Sequence, residues 1–135
     1  MPSIAVLDDE IYFCGGTDSG EILNQVIKWN TKNISINTEV SSMRSKRYES
    51  CAIEYEGWIF VAGGRDSEES LNSMECYNPK SNQWNELSSM NSSRFKFQLA
   101  TLDGLIYAAG ILKLLKIIFL NNNYNCKVDL LKLIV

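Results

Sequence analysis

The chain has 135 residues, of which 45% are hydrophobic and 21% are charged, a composition typical of one globular domain. Its formal net charge of −3 is too small to favour a nucleic acid or a membrane surface as a partner. Four cysteines in no CxxC pair and the lack of any histidine argue against His-based catalysis; they predict no metal, no cofactor and buried free thiols in a reducing, cytoplasmic compartment.

No apolar segment is suited to a membrane. The run at residues 4–7 is too short for a signal peptide and follows no basic start. The run at residues 111–120 is interrupted by Lys113 and Lys116. We therefore predict neither a signal peptide nor a bilayer span.

Two short apolar runs joined by a tight turn begin the chain at residues 4–16, and the same arrangement recurs at residues 51–64 and 99–110. In the two later copies the turn is an acidic residue followed by glycine, which is a strong signal for a two-residue hairpin. The runs are apolar at nearly every position, which predicts strands that are buried on both faces.

Each predicted hairpin ends in glycine. A chain that leaves a buried strand beside a close neighbour needs backbone freedom and the space that a Cβ would fill. Neither GxGxxG nor GxxxxGK is present, so these glycines do not form a known phosphate-binding loop. We predict a structural role for Gly15, Gly16, Gly63, Gly64 and Gly110.

A polar loop, a third strand, a turn and a fourth strand follow the first two glycine pairs. In the second unit the loop is at residues 65–69, the third strand at 72–77 and the turn at 78–82. The third strand carries Tyr77 and the fourth carries Trp84, and we predict that both side chains are structural.

The units recur at a fixed spacing. Gly15 and Gly63 are 48 residues apart, and Arg47 and Arg94 are 47 residues apart. A period near 50 residues indicates a repeat architecture, in which each unit covers the next.

The segments GWIFVAGG, NSMECYNP and NQWNELSSM, with glycines after the second strand, Tyr in the third and Trp in the fourth, resemble the kelch repeat. The resemblance covers about residues 4–110. It implies an all-β fold, a partial β-propeller of about two four-stranded blades plus a hairpin of a third. In this division repeat 1 is at about 1–43, repeat 2 at about 44–90 and partial repeat 3 at about 91–110.

Residues 111–135 depart from the repeat. They contain no Gly, Pro, Ser or Thr, and nothing in them matches a blade. One hypothesis is that this tail is translated non-coding sequence; the alternative is a natural extension with an amphipathic helix at residues 112–120.

The sequence shows no catalytic triad, acid–base cluster or cofactor motif, which argues against an enzyme. The resemblance implies a protein-interaction module. In kelch-like proteins the propeller captures a substrate protein for a cullin–RING ubiquitin ligase. The partner-binding residues that the resemblance implies lie, by their position in the repeat, in loops on one rim of the propeller. The residues are Asp18, Ser19, Ser45, Arg47, Tyr48, Arg65, Asp66, Ser93, Arg94 and Phe95.

Arg47 and Arg94 are the leading candidates, because a guanidinium suits the carboxylate of an acidic peptide, with Tyr48 and Phe95 beside them for apolar contact. The alternative is that these arginines brace neighbouring blades by bonding to backbone carbonyls or to Glu75.

Other functions stay open at this point. Some kelch proteins bind actin, and a truncated, non-functional gene product is a further alternative. The BTB domain and the helical (BACK) region of kelch-like proteins are not among these residues, so a ligase role would belong to a longer parent. Copper chemistry on this fold would need His ligands. Uncovered blade faces and strand edges predict self-association.

Overall fold

A computed structural model of the chain describes residues 1–33, 37–110, 113–120 and 125–129, with side chains described in the first two ranges. These ranges contain twelve β-strands and no helix. In particular, none of the described residues belongs to a helix with the length and hydrophobicity needed to cross a membrane.

The strands form three four-stranded antiparallel sheets, each a consecutive stretch of chain. Sheet 1 consists of β1 (Ser3–Leu7), β2 (Glu10–Asp18), β3 (Glu21–Asn30) and β4 (Asn37–Val40). Sheet 2 consists of β5 (Cys51–Tyr55), β6 (Trp58–Ala62), β7 (Met74–Asn78) and β8 (Gln83–Leu87). Sheet 3 consists of β9 (Gln98–Leu102), β10 (Leu105–Gly110), β11 (Lys113–Leu120) and β12 (Asn125–Asp129).

The predicted tight turns join β5 to β6 and β9 to β10. Glu56 and Gly57 have φ values of 50° and 78°, and Asp103 and Gly104 have values of 51° and 72°. Two successive positive φ values are those of a type I′ turn, whose twist matches that of the flanking strands. Turn chemistry in the sequence thus sets the register of these hairpins.

The sheets pack face to face, and β6 shows why its sequence is apolar at every position. Ile59 and Val61 lie in the core between sheets 1 and 2, whereas Phe60 and Ala62 lie in the core between sheets 2 and 3. Successive side chains of a strand point to opposite faces, so a strand with a sheet on both sides has no polar face.

Within each sheet the first strand is the inner one. β1 contacts β5, and β5 contacts β9, while the last strand of each sheet lies at the opposite edge. This is the arrangement of propeller blades around an axis, and it confirms the predicted all-β, partial β-propeller fold.

Two local predictions differ from the structure. The alternative of a helix in the tail is wrong for Lys113–Leu120, which is strand β11 and pairs with β10 from Gly110↔Lys113 to Ile106↔Ile117. The sequence there includes β-branched Ile117 and Ile118, which favour a strand when a neighbour is free to pair. The third unit therefore continues beyond its hairpin.

The second difference is in sheet 1, where the predicted polar loop after Gly16 is a hairpin. β2 continues to Asp18 through a bulge between Cys14 and Gly16, and a two-residue turn at Ser19 and Gly20 leads into β3. The corresponding segment of sheet 2, residues 65–73, is a true loop held by isolated bridges from Arg65.

Candidate protein-binding rim

Strands alternate in direction, so every second connection lies at the same end of the sheets. We call the end that holds the glycine pairs the loop rim and define it as residues 15–20, 41–50, 63–73 and 88–97. All ten predicted partner-binding residues belong to it. The structure gives them very different surroundings.

The loops that enter sheets 2 and 3 dock on the glycine pair of the preceding sheet by the same backbone bonds. Gly16 N donates to Arg47 O at 2.8 Å, and Gly64 N donates to Arg94 O at 2.7 Å. Arg47 N donates to Leu23 O and Arg94 N to Leu71 O, both at 3.0 Å. The arginine backbones thus fasten one unit to the next.

This docking explains the glycines physically. A Cβ on Gly15 would lie 2.4 Å from Arg47 O, and one on Gly63 would lie 2.4 Å from Arg94 O. Gly15 and Gly63 also have φ values of 64° and 59°, in the left-handed region.

Gly16 and Gly64 are as constrained as their neighbours, since a Cβ on either would lie 2.7 Å from backbone atoms. Gly110 differs, because a Cβ there would meet only Phe97 Cβ at 3.5 Å, an ordinary contact. The close backbone approach seen at the other four glycines is not seen at Gly110 among the described residues, and the structural role of Gly110 stays a prediction.

Two asparagines complete the docking, and neither is among the predicted site residues. Asn24 Nδ2 donates to Met43 O at 2.8 Å, and Asn72 Nδ2 donates to Met90 O at 3.1 Å. In return, Met43 N donates to the backbone oxygen of Asn24, and Met90 N donates to that of Asn72. Their 48-residue spacing in the sequence was the available signal, because a polar residue repeated in a buried setting has a repeated partner.

Arg47 is fully buried, with 0% of its side chain exposed. Its Nη1 donates to Gly63 O at 2.7 Å and to Ser73 O at 3.3 Å, and its Nη2 donates to Glu75 Oε1 at 2.7 Å. Arg47 therefore braces sheet 2 against the loop from sheet 1. Its guanidinium is not accessible to a binding partner, so Arg47 has the bracing role that the sequence left as the alternative.

Glu75, on β7, is the acceptor at the centre of this brace and is 1% exposed. Besides Arg47, it accepts Arg44 N on Oε2 at 2.6 Å and Ser45 N on Oε1 at 3.1 Å. A buried carboxylate requires such partners, since burying a charge without them is costly. Ser45 is consequently held by its backbone, with its side chain half-buried.

A second group on the rim is partly exposed: Phe95 lies on the surface, and Tyr48 and Arg65 are half-buried. The Arg65 guanidinium lies over the Phe95 ring, with its Cζ 4.9 Å from the ring centroid, and Phe95 is 41% exposed. Tyr48 and Arg65 exchange backbone bonds of 3.0 and 2.8 Å. Three residues from three different rim loops, Tyr48, Arg65 and Phe95, are thus connected.

Asp66 beside this group shapes its loop. Its Oδ1 accepts the backbone N–H groups of Glu68 and Glu69, both at 2.8 Å. These bonds, first that from Glu69 and then that from Glu68, lower the pKa of Asp66. The carboxylate is therefore kept charged.

The other predicted residues are placed less centrally. Arg94 is half-buried, and that burial lowers its pKa, while Ser93 next to it is exposed. Asp18 and Ser19 form the exposed tip of the β2–β3 hairpin, where Ser19 Oγ donates to Asp18 Oδ1 at 3.2 Å. Among the described residues, no hydrogen bond or ring contact joins Asp18 or Ser19 to Arg65 and Phe95.

Tyr77 and Trp84 are structural, as their burial shows. Their rings are 5.2 Å apart between centroids and lie in the core against Tyr12 of sheet 1. Trp84 Nε1 donates to Ser41 O at 2.7 Å, and Tyr77 OH donates to Asn82 Oδ1 at 2.9 Å. Both polar ends of the buried aromatics are thus satisfied.

Comparison with known proteins places these features in a wider context. Residues 46–91 match the family model described as the Kelch motif. The chain is similar to human Kelch-like protein 31, with 35% identity over 80 residues, 54% of this chain and 13% of that protein. It is also similar to the human Influenza virus NS1A-binding protein, with 37% identity over 75 residues, 56% of this chain and 12% of that protein.

The fold has a solved counterpart in the structure of YjhT, with a TM-score of 0.68 and 23% sequence identity, over 79% of this chain and 32% of that chain. At that identity the similarity concerns the fold. The chain spans about one-eighth of the length of the two human proteins. With its repeated sheets and exposed rim loops, it has the construction of a protein-interaction module.

Proposed function

We propose that this chain, whose residues 46–91 match the Kelch motif, supplies part of the surface with which a longer kelch-like protein captures substrates for a cullin–RING ubiquitin ligase. The support for protein binding is the family itself and a relative whose name records the binding of a viral protein. The ligase step is the finer part of the proposal and rests on the resemblance to kelch-like proteins.

The observation that carries the proposal is the cation–π pair on the loop rim, in which half-buried Arg65 lies over the exposed ring of Phe95. Arginine and aromatic residues are the types that most often dominate protein interfaces. Here the guanidinium is already ordered by stacking on the ring, so less side-chain freedom is lost on binding. Tyr48 and Asp66 extend the group with an aromatic ring and a charged acceptor.

The rigid base beneath this group is the docking described above. Arg94 O is held by Gly64 N at 2.7 Å, one residue from Phe95, and Tyr48 is bonded to Arg65. Loops fixed at both ends by buried bonds on a sheet scaffold keep their side chains in place for a partner. Buried Arg47 contributes to the site by fixing the loop, and its side chain is not accessible to a binding partner.

Proximity labelling in cells, comparing the chain with its Arg65→Ala and Phe95→Ala variants, tests the proposal. Both variants should lose the same set of proteins by about tenfold or more, the effect of removing an interface hot spot. Inhibition of cullin–RING ligases should raise the abundance of those proteins. Retention of the whole set by both variants would contradict the proposal.

The matched control is Ser81→Ala, in the exposed turn between β7 and β8 at the opposite end of the sheets. It should retain every partner. If the protein lost from the two rim variants is actin, co-sedimentation with purified filamentous actin decides for the cytoskeletal alternative.

A further inference from the structure

Residues 65–70 of the loop rim form a miniature hairpin, which we call the acidic tip. Its two ends pair with each other, since Arg65 and Ser70 form a β-bridge. Inside this bridge, Asp66 N donates to Glu69 O at 3.1 Å, and the Asp66 carboxylate accepts two further backbone N–H groups. A short loop closed in this way presents its side chains to a partner in a fixed arrangement.

The charge of the acidic tip is mostly uncompensated. Three carboxylates, those of Asp66, Glu68 and Glu69, stand against the single guanidinium of Arg65, a net charge of −2. Glu68 and Glu69 are exposed. In the part of the chain whose side chains are described, none of the three carboxylates forms an ion pair. The tip therefore offers free negative charge at the surface.

Two aromatic residues at equivalent positions of the repeat flank the acidic tip. Tyr48 is bonded to Arg65 through both of its backbone groups, on one side of the base of the tip. Gly64, which precedes the tip, donates to the backbone oxygen of Arg94, the neighbour of Phe95. The base of the tip is thus fastened between the loop of Tyr48 and the loop of Phe95.

The Phe95 ring already holds one cation. The guanidinium of Arg65 lies over it, with Cζ 4.9 Å from the ring centroid. With Arg65 in place Phe95 is still 41% exposed, so part of the ring remains accessible to another molecule. An aromatic ring attracts a cation through its quadrupole, and a carboxylate binds a guanidinium or an ammonium by charge-assisted hydrogen bonds. Exposed aromatic area beside free carboxylates is therefore suited to a basic side chain.

We propose that the acidic tip and its flanking aromatic residues select partner segments that contain arginine or lysine. This inference rests on the proposed function and names the class of substrate for the same rim. The basic side chain of the partner packs on the accessible part of Phe95 and pairs with Glu68 or Glu69. The acidic peptide expected from the sequence lacks its main contact, because Arg47 is buried and its guanidinium is bonded to Glu75.

The exposed cations of the rim lie outside the acidic tip. Arg44 and Lys46 are on the loop that precedes Tyr48, and Lys96 pairs with Glu49 at 3.1 Å. A partner rich in carboxylates would use these residues instead, so such a partner is the opposite outcome of the test. Complementary charge decides which partner is chosen, so removing the charge of the tip alone separates the two cases.

Selection of a random peptide library, displayed on phage, against the immobilised 135-residue chain tests the inference. The selected peptides should be enriched in arginine and lysine over the unselected library. The double variant Glu68→Gln, Glu69→Gln should bind them about tenfold more weakly, because it keeps the shape of the tip and removes two of its charges. The matched control Glu39→Gln, Glu86→Gln removes two exposed carboxylates from the outer strands and should bind them as the parent chain does.

Circular dichroism verifies that each variant keeps its strand content. Peptides enriched in aspartate and glutamate, equal binding by the parent chain and the folded tip variant, or a selection that yields no peptide would overturn the inference. Phe95→Ala separates this failure from that of the proposed function. Acidic peptides that no longer bind to Phe95→Ala would leave the rim as the binding surface and change only its substrate class. Peptides that bind to Phe95→Ala as to the parent chain would contradict both.

Discussion

At the scale of single residues, Arg47 shows that the same residue at the same repeat position can have different surroundings: Arg47 is buried, whereas Arg94 is half-buried. Arg47→Ala would remove the guanidinium from Glu75 and leave a buried carboxylate with only two backbone donors. We expect a loss of about 3–5 kcal/mol in the free energy of unfolding, the usual cost of breaking a buried ion pair. Urea unfolding followed by circular dichroism measures it.

Arg44→Ala is the matched control, because Arg44 is exposed and bonds to Glu75 through its backbone N–H. It should change the free energy by no more than about 0.5 kcal/mol. Equal losses in the two variants would contradict the bracing role. Arg47→Met combined with Glu75→Leu should recover part of the loss, but Arg44 N and Ser45 N would still lack an acceptor.

The buried thiols give a residue-scale prediction for pH. Burial raises the pKa of Cys14 to about 12 and that of Cys76 to about 11, from 9.0. The folded chain keeps these thiols protonated while the unfolded chain ionises them, so stability is complete below about pH 9 and falls as pH rises towards 11–12.

Urea unfolding at pH 7, 9 and 10 should therefore show a free energy of unfolding that begins to fall at pH 9 and is lowest at pH 10. The double variant Cys14→Ala, Cys76→Ala, measured at the same three pH values, should lose most of this change in the free energy of unfolding with pH. An undiminished fall in the double variant would assign the effect to other groups.

At the scale of elements, the glycine-ended strands and the loops that dock on them form one unit of construction. Gly63→Ala should destabilise the chain by about 1–3 kcal/mol or more, because its Cβ would overlap Arg94 O and its φ of 59° is strained for alanine. Gly110→Ala should be neutral to stabilising, since the space is open and an L-residue fits the strand. Thermal unfolding of the two variants compares them directly, and an equal loss at both positions would refute the explanation.

The sequence predicted the hairpins and the two-sided burial of β6 because both follow from local chemistry: acidic-Gly turns, positive φ and a run without polar positions. It did not predict β11, since the spacing of apolar residues at 112–120 also suits an amphipathic helix, and pairing with β10 is a tertiary event that decides between the two. It also could not separate Arg47 from a binding arginine. The difference between them is burial, which depends on Glu75 and Ser73 arriving from another strand.

At the scale of the whole molecule, successive sheets share their faces, so each core is built by two neighbouring units. A composition typical of a globular domain does not reveal this, because it does not say which apolar face another sheet covers. The fold was predictable from the repeat for that reason. The buried ion pair of Arg47 and Glu75 was not, because Glu75 is not a repeated residue: Ile27 holds the equivalent position in sheet 1.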